Sequence, residues 1–330
     1  MKAAFIEQAG PPEVIQYGEL PIPKVEENQA LVRTAAVSIN PIDTYIRGGA
    51  KYWELPSPFV LGCDIAGEVV EVGSNVSGLA VGQRVWGSNQ GLLGRQGTFA
   101  EYCAIDEQWL YPIPDGVDSE SMAAAALVGI TAHLGLFREA RLRAGETIFV
   151  RGGAGGVGSM VLQMASAIGA TVIATAGGAE KAAVCRRLGA KHVVDYTQGN
   201  ICEQVSDFAP SGVQVFWETL REPDFDMAVS LLSEKGRIIL MAGRDARPPF
   251  PVGPFYVKGC SMHGFVMFKA TAEEQRACAA DINHWFTNGQ LQAVIDRTLP
   301  LSEAAEAHRL QEAHTIGNTS TLTGKLVLRP

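Results

Sequence analysis

The run Arg151-Gly152-Gly153-Ala154-Gly155-Gly156-Val157-Gly158 follows a short apolar, β-branched stretch and opens an amphipathic one. Gly153, Gly155 and Gly158 satisfy G-x-G-x-x-G. Glycine is needed at such positions because a tight turn, a backbone lying against a pyrophosphate and a helix packed on its strand each exclude a Cβ. The first turn of the following helix then offers unpaired N–H groups to the anion. The run therefore points to dinucleotide binding, with Gly156 and Val157 supplying amides beside the three glycines.

About 20 residues further on, an NAD-selective site carries an acid for the ribose hydroxyls. Here the chain reads Ala174-Thr175-Ala176-Gly177-Gly178, with no carboxylate. Lys181 follows, and Tyr196 ends the next strand beside Asp195. A cation and a phenol near the adenosine ribose favour a 2′-phosphate, hence NADPH. The residues alone leave open that Lys181 is a solvated helix lysine and Tyr196 a strand-end aromatic.

The elements that must position these groups are visible as alternating strands and helices from residue 146 onwards. Strands are expected at 147–150, 171–175, 192–195, 213–217, 237–242 and 261–265. Helices are expected at 157–168, 180–188, 201–208 and 224–232, which is the pattern of a doubly wound parallel sheet. Before residue 118 the signals are short and β-like, at 30–36, 66–72 and 83–85, broken by Pro56, Pro58, Pro112 and Pro114, so this half reads as strand and turn. An Ala-rich helix over 119–136, with Ser119 and Ser121 as caps, joins the two. Beyond residue 266 the sequence predicts helices at 273–286 and 303–314 and strands at 294–299 and 325–328. The fold class is α/β.

Composition narrows the function. The 330 residues are 47% hydrophobic and 19% charged, enough apolar surface for a sizeable core, and the length favours two domains. The net charge is −8 and no basic run is present, so nucleic acid is not an expected partner. Glu7, Gln8 and Pro11 interrupt the start before any long apolar run, so no secretory segment is expected. The longest apolar windows, near 123–128 and 238–243, fall short of the ~18 residues of a membrane span. Six scattered cysteines without a C-x-x-C pair suit a reducing compartment, and the protein reads as cytoplasmic.

A family resemblance spans nearly the whole chain. It rests on Asn40-Pro41-Ile42-Asp43-Thr44-Tyr45-Ile46-Arg47-Gly48-Gly49, on Gly62-Cys63-Asp64-Ile65-Ala66-Gly67, on Gly82-Gln83-Arg84-Val85 and on Gly129-Ile130-Thr131-Ala132. With Gly155-Gly156-Val157-Gly158 and the closing Gly324-Lys325-Leu326-Val327-Leu328, these resemble the zinc-independent quinone oxidoreductases of the medium-chain dehydrogenase/reductase superfamily, the zeta-crystallin group. The resemblance implies a GroES-like β-rich catalytic domain over 1–122 and 264–330, and a Rossmann NADP(H)-binding domain over 123–263. It implies catalytic roles for Asn40, Asp43, Tyr45 and Thr131, with Tyr52 as a further candidate. It implies cofactor contacts from Thr131, Ala176, Gly177, Lys181, Tyr196, Thr219, Ala242, Gly243, Phe265, Val266 and Lys325.

Zinc-dependent relatives carry ligands where this chain has Asn40 and Cys63, and neither the 127–128 region nor 86–102 supplies the rest, so no metal is expected. The resulting expectation is hydride transfer from NADPH to a quinone, or to the β-carbon of an enone or enoyl compound, by a homodimer or a tetramer. A non-catalytic NADPH-binding protein is the alternative from another class.

Overall fold

The computed structural model describes residues 1–50, 54–317 and 322–330. The chain divides into two compact units, residues 1–127 with 268–330 and residues 128–267. In the first, β1 (Lys2–Ile6) pairs antiparallel with β2 (Gln16–Glu19) and, beyond α1 (Pro41–Arg47), with β4 (Phe59–Val60). The larger sheet is built on β3 (Gln29–Ser38), β5 (Ile65–Val72), β6 (Arg84–Gly87), β7 (Tyr102–Asp106) and β8 (Leu110–Pro112). Alternating burial along β5 and β7 marks strands with one face on the core, which holds Ile39, Phe59, Leu61, Ile65, Leu92 and Phe99. The half read as strand and turn thus also contains a short helix, α1. Its Pro41 sits at the first helical position, where a missing N–H is harmless.

The passage between units falls within α2 (Ser119–His133). Its cap is Asp118, whose carboxylate accepts from the Ser121 N–H at 2.8 Å and the Ser121 hydroxyl at 2.6 Å; the expected caps, Ser119 and Ser121, do not serve. A π-helical segment, Leu134–Glu139, continues it. Gly135 lets this segment lie against Trp217, since a Cβ there would fall 2.2 Å from the ring. The combined run Ser119–Glu139 is long and apolar enough to cross a membrane, contrary to the shorter windows read from sequence, yet 78% of its window is buried in the protein. It packs as a core helix.

The second unit carries β9 (Thr147–Val150), α3 (Gly156–Ala167), β10 (Thr171–Ala176), α4 (Gly178–Arg187), β11 (His192–Asp195), α5 (Ile201–Phe208), β12 (Val213–Glu218), α6 (Phe225–Leu231), β13 (Leu232–Leu240), α7 (Val252–Val257) and β14 (Ser261–Gly264). The strands run in the order β11-β10-β9-β12-β13-β14, all pairings parallel, which is the doubly wound arrangement. Phe149, Ile173, Val194, Phe216 and Ile238 form its core. β13 begins five residues earlier than its apolar run, because it bulges against β12 at Lys235, whose φ is +58°. That turn-like Glu-Lys-Gly stretch conceals the strand. The Lys258 ammonium donates to the carbonyls of Val229, Ser230 and Leu232 and so closes the end of α6.

The chain then returns to the first unit with α8 (Ala272–Thr287), β15 (Ile295–Pro300), α9 (Ala304–Thr315) and β16 (Lys325–Arg329). Thr271 and Glu274 form a reciprocal capping box on α8. β16 pairs β15 on one side and β3 on the other, so the last strand completes the sheet started near the N-terminus. α9 packs on α1, tied by the Arg47–Glu312 ion pair. Within α9, His308 is wholly buried with neither ring nitrogen hydrogen-bonded among the described residues.

Burial, reinforced by Arg47, pushes the His308 imidazole down to about 3, so the folded protein keeps it neutral. The unfolded chain takes up that proton near the ordinary value of 6.5. Stability from this residue is therefore complete above about 6.5 and is lost as pH falls toward 3, at about 1.4 kcal/mol per pH unit. Calorimetric melts between pH 7 and 5 are expected to show a shallower fall for His308→Leu than for the wild type. Parallel curves would contradict this assignment.

Candidate active site

In the second unit, the glycine loop is tied at its entry by the ends of two neighbouring strands. Past β9, the Arg151 N–H donates to the Trp217 carbonyl at 3.0 Å. Arg151 also pairs with the buried Glu218 carboxylate at 2.8 Å. The Gly152 N–H donates to the Thr175 hydroxyl at 2.9 Å, and the Thr219 hydroxyl donates to the Arg151 carbonyl at 2.6 Å. Thr219, one of the sequence candidates, thus sits against the loop as well as at the end of β12.

The glycines separate into two groups. A Cβ on Gly158 would fall 2.1 Å from the Gly152 carbonyl oxygen, and one on Gly153 would meet Ala174 and Cys185 at 2.9 and 3.0 Å. Those two are required by the chain's own packing. A Cβ on Gly155 would approach nothing in the protein closer than 3.4 Å, an ordinary contact. What its absence admits comes from outside. Gly155 is the N-cap of α3 and no side chain caps that helix, so the first-turn amides are left for an anion of the pyrophosphate kind.

Beside the loop, Ala176 closes β10 and is buried, and Tyr196, about half exposed, lies across Gly177, where a Cβ would come 2.3 Å from the phenol oxygen. Lys181 stands in the first turns of α4 and is half-buried. Asp195 does not confront these groups uncompensated. Its carboxylate accepts from the Thr197 hydroxyl and N–H and from the Gly178 N–H, which hold it below the usual carboxylate range. Ala242 and Gly243 follow β13, and Gly243, with φ +80°, could not carry a Cβ without meeting the Arg221 carbonyl at 2.6 Å. Phe265 packs edge-on to Trp217, Val266 is exposed, and Thr131 is buried in α2.

In the first unit a second constellation centres on a residue the sequence reading quoted but did not single out, Asp64. Its carboxylate accepts from the Ser38 hydroxyl (2.8 Å), the Asn40 carboxamide (2.7 Å), the Ser88 hydroxyl (2.7 Å) and the Leu127 N–H (3.1 Å). The Lys325 ammonium lies 4.0 Å away. The available signal was a carboxylate placed immediately before a buried strand, in Gly62-Cys63-Asp64-Ile65. Asn40 and Asp43 are fully buried, so neither presents a side chain to solvent in this unit. Asp43 accepts the Asn40 N–H at 2.7 Å and the Cys63 thiol at 3.0 Å. Burial pushes the Asp43 carboxyl up to about 7, raises Asp64, and carries the Cys63 thiol well above its ordinary range.

Tyr45 is half-buried on the same short helix. Tyr52 lies outside the described residues. Lys325, expected with the cofactor contacts, is instead turned inward, donating to the Ile39 carbonyl and the Asn40 carboxamide oxygen. A zinc ion requires deprotonated or neutral donors in a tetrahedral set. Here Cys63 is the one thiol, hydrogen-bonded to Asp43, and the carboxamide oxygen already accepts from an ammonium, so this donor set does not fit one. Among the described residues no group of three His, Cys, Asp or Glu is placed for a metal.

Residues 26–115 match the alcohol dehydrogenase GroES-like domain, and residues 156–282 match the family described as zinc-binding dehydrogenase. The quinone oxidoreductase of Sus scrofa is 32% identical over 99% of this chain and 97% of its own length. The chloroplastic NADPH-dependent alkenal/one oxidoreductase of Arabidopsis thaliana is 32% identical over 100% of this chain and 80% of its own. Among solved structures, the Escherichia coli quinone oxidoreductase complexed with NADPH superposes with a TM-score of 0.86 at 26% identity over the full length of both chains. An NAD-dependent alcohol dehydrogenase does so with 0.89 at 28%, again over both full lengths.

Gly158 and Gly177, whose absent Cβ atoms would meet backbone and a surface side chain respectively, give different expectations. Gly158→Ala should destabilise the unliganded protein by about 2 kcal/mol or more, since the contact is with backbone. Gly177→Ala should cost under about 1 kcal/mol, because the exposed Tyr196 side chain can swing aside. Urea titrations of both variants decide it; similar losses would mean that the Tyr196 ring is rigidly held.

Proposed function

The chain belongs to the quinone oxidoreductase family of the medium-chain dehydrogenase/reductase superfamily, and from that membership we propose that it is an NADPH-dependent oxidoreductase that reduces a quinone without a metal ion. The observation that carries the proposal is the uncapped start of α3 under a glycine whose missing Cβ serves nothing inside the protein. In this reading Gly153, Gly155, Gly156, Val157 and Gly158 receive the pyrophosphate. Ala176, Gly177, Lys181 and Tyr196 receive the phosphorylated ribose, and Thr131, Thr219, Ala242, Gly243, Phe265 and Val266 the nicotinamide half. The E. coli relative's complex with NADPH supports the choice of cofactor, as does the absence of a carboxylate at the end of β10.

When bound, the reduced nicotinamide supplies the hydride. The protein orients the acceptor and stabilises the oxygen on which negative charge gathers. Tyr45 is the group we assign to that oxygen: its phenol is a hydrogen-bond donor on α1, half-buried, with solvent as the final proton source. Asn40 and Asp43 act at one remove by fixing the start of the helix that carries Tyr45. An enone, reduced at its β-carbon, is the second reading, favoured by the alkenal/one oxidoreductase relative. The six free cysteines fit a cytoplasmic protein, and β14, at the end of its sheet, offers an edge for a homodimer.

Loss of NADPH absorbance is to be followed with 1,2- and 1,4-quinones, 2-alkenals and enoyl thioesters. Quinone turnover is expected to be fastest; turnover of alkenals alone would establish the second reading, and NADPH binding with no acceptor reduced would make the chain a binding protein. Lys181→Ala should raise the NADPH dissociation constant about tenfold or more while moving that of NADH under about twofold, since one charge-assisted contact to the 2′-phosphate is lost. Equal weakening of both would remove Lys181 from the phosphate site.

A further inference from the structure

Lys325 has a task that the cofactor does not explain. Its side chain is 5% exposed, beside the buried polar groups of Asn40 and Asp64. An ammonium has three donors and no acceptor. Two of the three are spent on the Ile39 carbonyl and the Asn40 carboxamide oxygen, and the Asp64 carboxylate lies 4.0 Å away as counter-charge. The backbone delivers the residue there for definite reasons. Gly324, at φ +82°, passes so close to Val294 that a Cβ would lie 2.1 Å from its carbonyl oxygen, and the Lys325 N–H then donates to that carbonyl at 2.9 Å. One register further, the Ile39 N–H donates to the Leu326 carbonyl, so the start of β16 lies against the residue preceding Asn40.

The carboxamide of Asn40 is thereby fixed in one of its two flip states. Its oxygen must face the donor-only ammonium, and its nitrogen faces the carboxylate at 2.7 Å. Asn40 is also the N-cap residue of α1, where asparagine ordinarily turns its oxygen onto the helix's own amides. Here Asn40 and Asp43 form a capping box in which Asp43 accepts the Asn40 N–H, and the Asn40 oxygen also accepts from Lys325. The first turn of α1 is therefore aimed by an interaction that originates 285 residues away in sequence.

We propose that Lys325 is a positioning residue: its ammonium anchors Ile39 and Asn40, and through them sets the direction of α1 and the placement of Tyr45. The proposal rests on the reading of Tyr45 as the group that meets the acceptor. It differs from a cofactor-binding role for Lys325, which the family resemblance implied, because no contact of the ammonium with the dinucleotide is invoked.

The test compares the full-length wild type with Lys325→Met, and with Lys325→Met combined with Asp64→Asn, which removes the buried charges as a pair. Three quantities are read on folded protein: kcat at saturating NADPH and quinone, the NADPH dissociation constant from nicotinamide fluorescence, and the rate of Tyr45 nitration by tetranitromethane in the unliganded chain, followed by peptide mass. Positioning predicts kcat at least tenfold lower, a dissociation constant within twofold of wild type, and nitration altered severalfold. A kcat within twofold of wild type overturns the proposal. So does a tenfold rise in the dissociation constant at unchanged kcat, which would return Lys325 to the cofactor. If neither variant folds, Lys325 is a structural group only and the proposal falls. Should the wild type reduce no acceptor, the proposed activity fails by itself, and nitration still decides whether Lys325 governs Tyr45.

Discussion

The first unit depends on a carboxylate kept away from water. Asp64 is wholly buried, and an isolated ionised carboxylate in such a place costs far more than a domain's net stability. It persists because two hydroxyls, a carboxamide and a main-chain N–H converge on it, with an ammonium within ion-pair reach. Each donor comes from a different element: the end of β3, the start of α1, the segment after β6, α2 and the first residue of β16. Satisfying one charge therefore fixes the relative placement of five pieces of chain. A buried ion pair is weak support for stability unless further hydrogen bonds satisfy its charges, as the four donors to Asp64 do here.

The second unit solves the converse problem. Its glycine loop leaves donors unpaired at the start of α3, and the surrounding structure keeps them from collapsing onto other acceptors. The hydroxyls of Thr175 and Thr219 and the Arg151–Glu218 pair occupy the polar groups of the loop entry. Gly158 lets the helix press against the loop carbonyl, so α3 cannot slide to cap itself. The unpaired amides at the start of α3 are the kind of donors that anions meet at helix N-termini.

Much of this was legible in the residues. The parallel sheet followed from apolar runs alternating with amphipathic ones, and β9, β11 and α5 fall at their expected bounds because Gly and Asn bracket them closely. The glycine loop was readable because its spacing has one mechanical meaning after a strand and before a helix. The start of β13 was hidden by a bulge at Lys235 that reads as a turn, and α1 by a stretch whose proline and glycines resemble loop punctuation. Asp64 and Lys325 were missed as a pair for a different reason. Their contact joins residues distant in sequence, and a lone acid before one strand or lysine before another carries no pattern until the sheet order brings them together. The cap of α2 was misplaced by one residue type only: Asp118 does what the serines beside it were expected to do.

The tethering of the loop entry has a kinetic side. Because both threonine hydroxyls already hold the main chain in its final shape, an arriving ligand has no segment to organise, and the entropy of ordering was spent when the domain folded. Capture should then proceed as rigid docking, with an encounter rate governed by diffusion and alignment rather than by a preceding rearrangement. Lifetime of the complex, not speed of its formation, is then the quantity that substitutions at this loop would change.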